Sequence, residues 1–176
     1  MYLPKEVDRI LYSGEQIAQR VKCLGAELTR DYDGKNPLFI CVLKGACVFF
    51  GDLIRQVECP LQIDFFSVSS YCGKNSTGVV VRDLSKLPDV RGRDVVIVED
   101  ILDTGHTLSR LKKDFLEQEP ASIRIAVLLD KECRREVKGF TADYTGFVVD
   151  DLFVVGYGLD YNQDYRNLPY IGVLKA

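Results

Sequence analysis

Val95–Leu108 reads VVIVEDILDTGHTL, and this stretch decides how the rest of the chain must be arranged. Val95, Val96, Ile97 and Val98 are apolar and mostly β-branched, the composition of a strand covered on both faces. Glu99 and Asp100 follow at once. Asp103, Thr104, Gly105 and Thr107 then form a short polar turn, which opens onto a helical pattern at Leu108, Leu111 and Phe115 that stops before Pro120. Ligands of open α/β sheets sit beyond the carboxyl ends of strands, and a helix N-terminus offers unpaired N–H groups to an anion. The spacing therefore predicts carboxylates and an anion cradle in one small volume.

The residue types narrow the ligand. Gly105 lets the backbone turn tightly and approach a bound group. The Thr104 and Thr107 hydroxyls can donate to phosphate oxygens. Glu99 and Asp100 carry the sign of a phosphate, so they suit sugar hydroxyls or a divalent cation. Asp103 stands in the turn, where a carboxylate could exchange a proton with a ligand. A phosphate beside a diol is a ribose 5-phosphate. Receiver domains also end a strand in acids that hold Mg²⁺, but those acids normally lie near the start of the chain. The Walker pattern G-x-x-x-x-G-K-[ST] is absent from the sequence, which disfavours a P-loop NTPase.

Outward from this stretch, strands and helices alternate. Ser13 and Gln16 have capping-box spacing, and Ile17, Val21, Leu24 and Leu28 mark one helical face that ends at Asp33-Gly34. Strands are expected at Leu38–Leu43, Leu61–Val68, Val79–Val81 and Ile123–Leu129, with short ones at Phe147–Val149 and Phe153–Val155. Ala46–Val57 reads as a helix with Val48, Phe49, Leu53 and Val57 inward, and Tyr71–Gly78 as a polar loop. This order implies an α/β fold: a doubly wound, mostly parallel sheet flanked by helices, with a small irregular cap.

The 176 residues are most simply one domain, 1–176. The formal charge of −3 gives no reason to expect nucleic acid or an anionic membrane as partner. No apolar run reaches transmembrane length, and MYLPKEVDRI lacks the apolar stretch of a signal peptide. Six scattered cysteines without a C-x-x-C pair suggest reduced thiols and a cytoplasmic setting, with Cys72 the most oxidisable. The single histidine, His106, excludes a His-rich metal site.

The stretch from Val95 to Leu108 resembles the phosphoribosyl-pyrophosphate signature of the type I phosphoribosyltransferases. Leu43-Lys44-Gly45, the segment from Ser69-Ser70-Tyr71 to Ser76-Thr77-Gly78, and FVVGYGLDYNQDYR from Phe153 to Arg166 narrow the likeness to the hypoxanthine-guanine branch. The resemblance spans nearly the whole chain, with the motifs in the family's order. It implies a hood built from the chain ends and a mobile lid loop over the site. The implied reaction is purine salvage: Mg²⁺-dependent transfer of 5-phosphoribosyl from phosphoribosyl pyrophosphate to N9 of hypoxanthine or guanine, giving IMP or GMP and pyrophosphate.

By the same resemblance, Glu99, Asp100, Asp103, Thr104, Gly105, His106 and Thr107 bind the phosphoribosyl group, and Asp103 is the catalytic base near purine N7. Lys44, Gly45, Ser70, Tyr71 and Arg166 bind pyrophosphate, the turn at Lys44 often following a non-proline cis peptide. Ala46 stands where many relatives have a second glycine. Ile101, Lys131, Phe153, Val154 and Asp160 meet the purine: Phe153 stacks on its face, and the Lys131 ammonium donates to the oxygen on C6. Adenine carries a donor at that place and is disfavoured. Glu99, Asp100 and Asp160 are the expected Mg²⁺ ligands. His106, where many relatives have lysine, is expected to act mainly through its backbone. A homodimer or homotetramer is expected. Two other readings remain: a relative that accepts xanthine or another base, and a nucleotide-sensing, nucleic-acid-binding regulator on the same fold. The regulator would ask for a basic face that the net charge does not suggest.

Overall fold

The signature strand is longer than the apolar run alone indicates. In the computed structural model, which describes residues 2–68, 72–74, 80–82 and 87–175, it is Asp94–Leu102. Glu99 and Asp100 thus lie inside the strand and do not follow it. The reason is pairing: Ile101 and Leu102 stand opposite Leu129 and Asp130, so the ladder continues past the acids.

In chain order the elements are β1 (Val7–Tyr12), α1 (Gly14–Tyr32), β2 (Leu38–Leu43), α2 (Cys47–Ile54), β3 (Gln62–Ser67), β4 (Cys72–Lys74), β5 (Val80–Arg82), β6 (Asp94–Leu102), α3 (His106–Leu116), β7 (Ser122–Asp130), β8 (Tyr144–Val148), β9 (Val154–Val155) and β10 (Ile171–Leu174). A 3₁₀ turn, Glu132–Arg134, follows β7. The main sheet runs β3-β2-β6-β7-β8 with every pairing parallel. All its carboxyl ends therefore share one edge.

Alternation along β6 explains why the sheet is wound on both sides. Val96 and Val98 join the core formed with Ile17, Val21, Leu24 and Leu28 of α1 and Phe49, Phe50 and Leu53 of α2. Val95 and Ile97 join the opposite core with Leu108, Leu111 and Phe115 of α3. Full burial of such side chains stabilises by roughly 1.5–3 kcal/mol each, so both faces of β6 hold the sheet. The helix after β2 packs on one face and the helix after β6 on the other. The gap between the ends of β2 and β6 is thus the topological switch point, where open sheets take ligands.

The expected capping box at the start of α1 is present, with Gln16 N–H donating to Ser13 Oγ at 3.3 Å and Ser13 N–H to Gln16 Oε1 at 2.9 Å. α2 is shorter than expected: it ends at Ile54, leaving Val57 outside it, and its buried face includes Phe50. The expected short strand near Phe147 is β8 of the main sheet. The hood is a separate antiparallel sheet, β1-β10-β9, built from both chain ends around Val7, Val155, Leu168 and Tyr170. The sequence reading missed β1 and β10 because neither is a long apolar run. β4 and β5 form an antiparallel pair, so part of the segment read as a polar loop is strand. Ser70, Tyr71 and the Cys72 side chain lie outside the described residues. Among the described residues, no helix is long and apolar enough to cross a membrane.

Candidate active site

Beyond the end of β6 the chain turns into α3 through Gly105, whose φ of +90° favours glycine. A side chain there would also press on Arg135, Val137 and Phe140. Gly105 is the N-cap of α3 and supplies no side-chain cap, so the first-turn N–H groups face outward without one. Glu99, Asp100, Ile101, Leu102, Asp103, Thr104, Gly105, Thr107 and Leu108 line one cavity of about 260 Å³. The structure thus brings the signature residues together, with His106 the exception. Its exposed ring pairs with Glu136, Nε2 to Oε2 at 2.8 Å.

Glu99 and Asp100 face each other. Burial, the neighbouring Asp100 charge and a hydrogen bond that the protonated Glu99 carboxyl donates to that side chain push Glu99 well above the usual range. Burial also raises Asp100, opposed by hydrogen bonds with Glu99 and the backbone and by the charge of Arg166. Backbone N–H groups of Asp100 and Ile101 donate to Glu99 Oε1 at 3.0 Å and Asp100 Oδ1 at 2.8 Å. Two partly desolvated carboxyls of one sign favour a cation or hydroxyl donors between them.

Three distant segments close on Asp100 at the switch point. A Cβ on Gly45 would collide with the Asp100 carboxylate, and a Cβ on Gly158, at φ +103°, with the Gly45 carbonyl. The Leu43-Lys44 peptide is cis, as the resemblance implied, and the Lys44 side chain is exposed. Arg166 donates from Nη1 to the Gly158 carbonyl at 2.7 Å and pairs with Asp160 at 2.7 Å. Gln163 N–H also donates to Asp160 Oδ2 at 2.8 Å. Asp160 therefore has a cation of its own, and among the described residues no group of three or more His, Cys, Asp or Glu side chains is arranged to hold a metal ion. Glu99 and Asp100 present hard-oxygen donors side by side, the donor type that suits Mg²⁺.

On the other side of β6, Lys131 is buried at the end of β7, its Nζ 3.6 Å from Asp151 Oδ1. Arg134 reaches Asp151 Oδ2 from Nη1 at 3.3 Å and Asp103 Oδ1 from Nε at 3.4 Å. Arg135 donates to the Asp103 carbonyl and pairs with Asp130. Phe153 is 56 % exposed and meets Tyr161 edge-on at 5.4 Å, while Val154 sits in β9 beside β10.

The phosphoribosyl transferase domain family matches residues 9–162. The chain belongs to this family. It is 48 % identical over 174 residues to the hypoxanthine-guanine phosphoribosyltransferase of Streptococcus pneumoniae R6, covering 98 % of this chain and 96 % of that one. It is 41 % identical over 170 residues to the hypoxanthine-guanine-xanthine phosphoribosyltransferase of Tritrichomonas foetus, covering 97 % and 93 %. A hypoxanthine phosphoribosyltransferase crystal structure from Staphylococcus aureus superposes with a TM-score of 0.86 at 43 % identity, covering 97 % of this chain and 92 % of that one.

Within this phosphoribosyltransferase site, sequence reasoning missed Arg134, Arg135, Asp151 and Tyr161. Arg134 and Arg135 stand in the charged run KECRREVK, which reads as a solvated surface. Asp151 and Tyr161 acquire their partners only through the fold.

Proposed function

We propose that the chain, acting as one domain over residues 1–176, is a purine-salvage enzyme. It transfers 5-phosphoribosyl from phosphoribosyl pyrophosphate to N9 of hypoxanthine or guanine, giving IMP or GMP and pyrophosphate. The observation that carries this reading is a single cavity that joins an uncapped helix start to two like-charged carboxyls, Glu99 and Asp100. The family membership and the identity to named relatives support it.

The 5′-phosphate rests on the turn from Asp103 to Thr107, where backbone N–H groups and two threonine hydroxyls donate. The ribose hydroxyls donate to Glu99 and Asp100. Lys44, Gly45, Ser70, Tyr71 and Arg166 receive the pyrophosphate, Arg166 through its planar fork. Glu99 and Asp100, with Asp160 an outer candidate, would hold Mg²⁺, which would supply charge neutralisation for the pyrophosphate leaving group. The bond from the anomeric carbon to the pyrophosphate oxygen breaks, the bond to purine N9 forms, and Asp103 takes the purine proton. Lys131 donates to the C6 oxygen, and Phe153 and Ile101 cover the faces of the ring. Val154 and Asp160 meet the base edge. His106 contributes its backbone N–H, its ring being engaged by Glu136.

A cytoplasmic setting belongs to the same proposal and accords with the free thiols of Cys23, Cys41, Cys47, Cys59 and Cys133. So does self-association, for which the edge strand β3 leaves Ile63 47 % and Phe65 50 % exposed. The test is an assay of the purified chain with Mg²⁺, phosphoribosyl pyrophosphate and each base in turn, following nucleotide and pyrophosphate. Nucleotide from hypoxanthine or guanine, with adenine poor, is the expected result. Xanthine as the preferred base points to the alternative acceptor. No turnover with any base defeats the reading.

A further inference from the structure

The purine presents N7 and the C6 oxygen on the same edge. A site that accepts a proton near one and donates to the other must hold a carboxylate and an ammonium side by side. Left to themselves such groups pair with each other, and each is then spent. In this chain each has a different partner. Lys131 is paired with Asp151 at 3.6 Å and Asp103 with Arg134 at 3.4 Å, while Arg134 also reaches Asp151 at 3.3 Å. The four charges alternate in sign along Lys131–Asp151–Arg134–Asp103. They come from the end of β7, the 3₁₀ turn after it, the segment before β9 and the turn after β6.

We propose that Arg134 is a positioning residue that ties the general base Asp103 to Asp151, the counter-ion of Lys131, so that one bridge of charges sets both groups on the N7–O6 edge. The inference rests on the purine phosphoribosyltransferase reading above. Arginine suits the task because Nε and Nη1 of one rigid guanidinium engage two carboxylates at once, which a lysine ammonium on a flexible stem does less well. Exposure separates a structural role from this one. The side chains of Asp151, Arg134 and Asp103 are 56 %, 46 % and 42 % exposed, against 10 % for Lys131. Pairs as open as these add little to folding. A purine laid over them removes water, and the same contacts then strengthen. The bridge should therefore matter for turnover and hardly for stability.

The experiment is steady-state kinetics of Arg134→Gln, Asp151→Asn and the double variant, with phosphoribosyl pyrophosphate and hypoxanthine varied separately. For Arg134→Gln we expect kcat to fall about tenfold, and for Asp151→Asn the purine KM to rise about tenfold, on the scale of a charge-assisted contact. The KM for phosphoribosyl pyrophosphate stays within about twofold in both, and the melting temperature within about 4 °C. The double variant should lose less than the product of the single effects, because one unit is being broken. Asp151→Glu and Arg134→Lys should each recover part of the loss, and they replace any variant that fails to fold. Wild-type purine KM and kcat in both single variants overturn the bridge, as do losses that multiply independently or an equal rise in the KM for phosphoribosyl pyrophosphate. If the unaltered protein turns over no 6-oxopurine, the functional reading fails first and the bridge falls with it.

Discussion

The two flanks of β6 solve the same electrostatic problem in opposite ways. On the flank proposed for the sugar, Glu99 and Asp100 lie side by side in one cavity, and burial holds both carboxyls above their usual range, the Asp100 charge adding to the rise at Glu99. On the base side, Asp103 and Lys131 are each matched by a group of opposite charge. The first arrangement stores unsatisfied charge for a ligand to relieve. The second gives each of the two proposed base-side groups an ion-pair partner of its own. Under the proposed reading, a site that binds a polyanion with its cation on one flank and reads a neutral base on the other requires both.

The contrast breaks most sharply at Asp103. If it is the base, Asp103→Asn should lower kcat about 10²–10⁴-fold with substrate binding intact, as measured by turnover and by equilibrium binding of each substrate. Turnover close to the unaltered protein would leave the base side with no chemical task. Lys131→Ser comes next. Loss of a charged donor to the C6 oxygen should raise the KM for hypoxanthine about 10- to 100-fold and narrow the gap to adenine. Unchanged affinity and preference would assign base reading to another group.

The sugar side makes a prediction about stability. A carboxyl whose pKa is raised on folding contributes stability that is fully present below its unfolded value, near 4.3 for glutamate, and lost as pH rises through the folded value. Glu99→Gln removes that loss. Its melting temperature without ligand should exceed that of the unaltered protein at pH 8 by about 2–4 °C, on the order of 1 kcal/mol, with the gap closing toward pH 4. The same variant should gain less stability from phosphoribosyl pyrophosphate with Mg²⁺. A lower melting temperature at pH 8 would mean that the pair is already satisfied. The smallest effect belongs to His106. Its ring is 65 % exposed and bound to Glu136, so His106→Gln should change the KM for phosphoribosyl pyrophosphate by less than about twofold across pH 6–8. A larger change would bring the ring into the phosphate cradle.

Cys41 shows how position overrides residue type. It lies on β2 beside the site, yet its thiol is pushed up to about 12, first by burial and then by Cys47, Glu99 and Asp100. Nearness to a reactive centre does not make it a nucleophile.

The sequence alone brought together the acids and turn residues of the proposed sugar flank. Its groups are contiguous from Glu99 to Thr107, and apolar alternation, turn residues and helix spacing are all local signals that survive without a fold. The same signals located α1, β2, β6, α3 and β7 and implied their layering. The tertiary structure alone decided the ion pairs of the base flank and the strand pairing of the hood. Lys131, Arg134 and Asp151 acquire their roles from ion pairs between segments far apart in the chain, and Asp160 acquires Arg166 by a fold-back of the hood loop. The close packing that requires Gly45 and Gly158 shows only in the fold, where Gly45 meets the Asp100 carboxylate and Gly158 the Gly45 carbonyl. Charge pairing across a fold leaves no periodicity in sequence, because any acid can serve any base until the backbone brings two of them within reach.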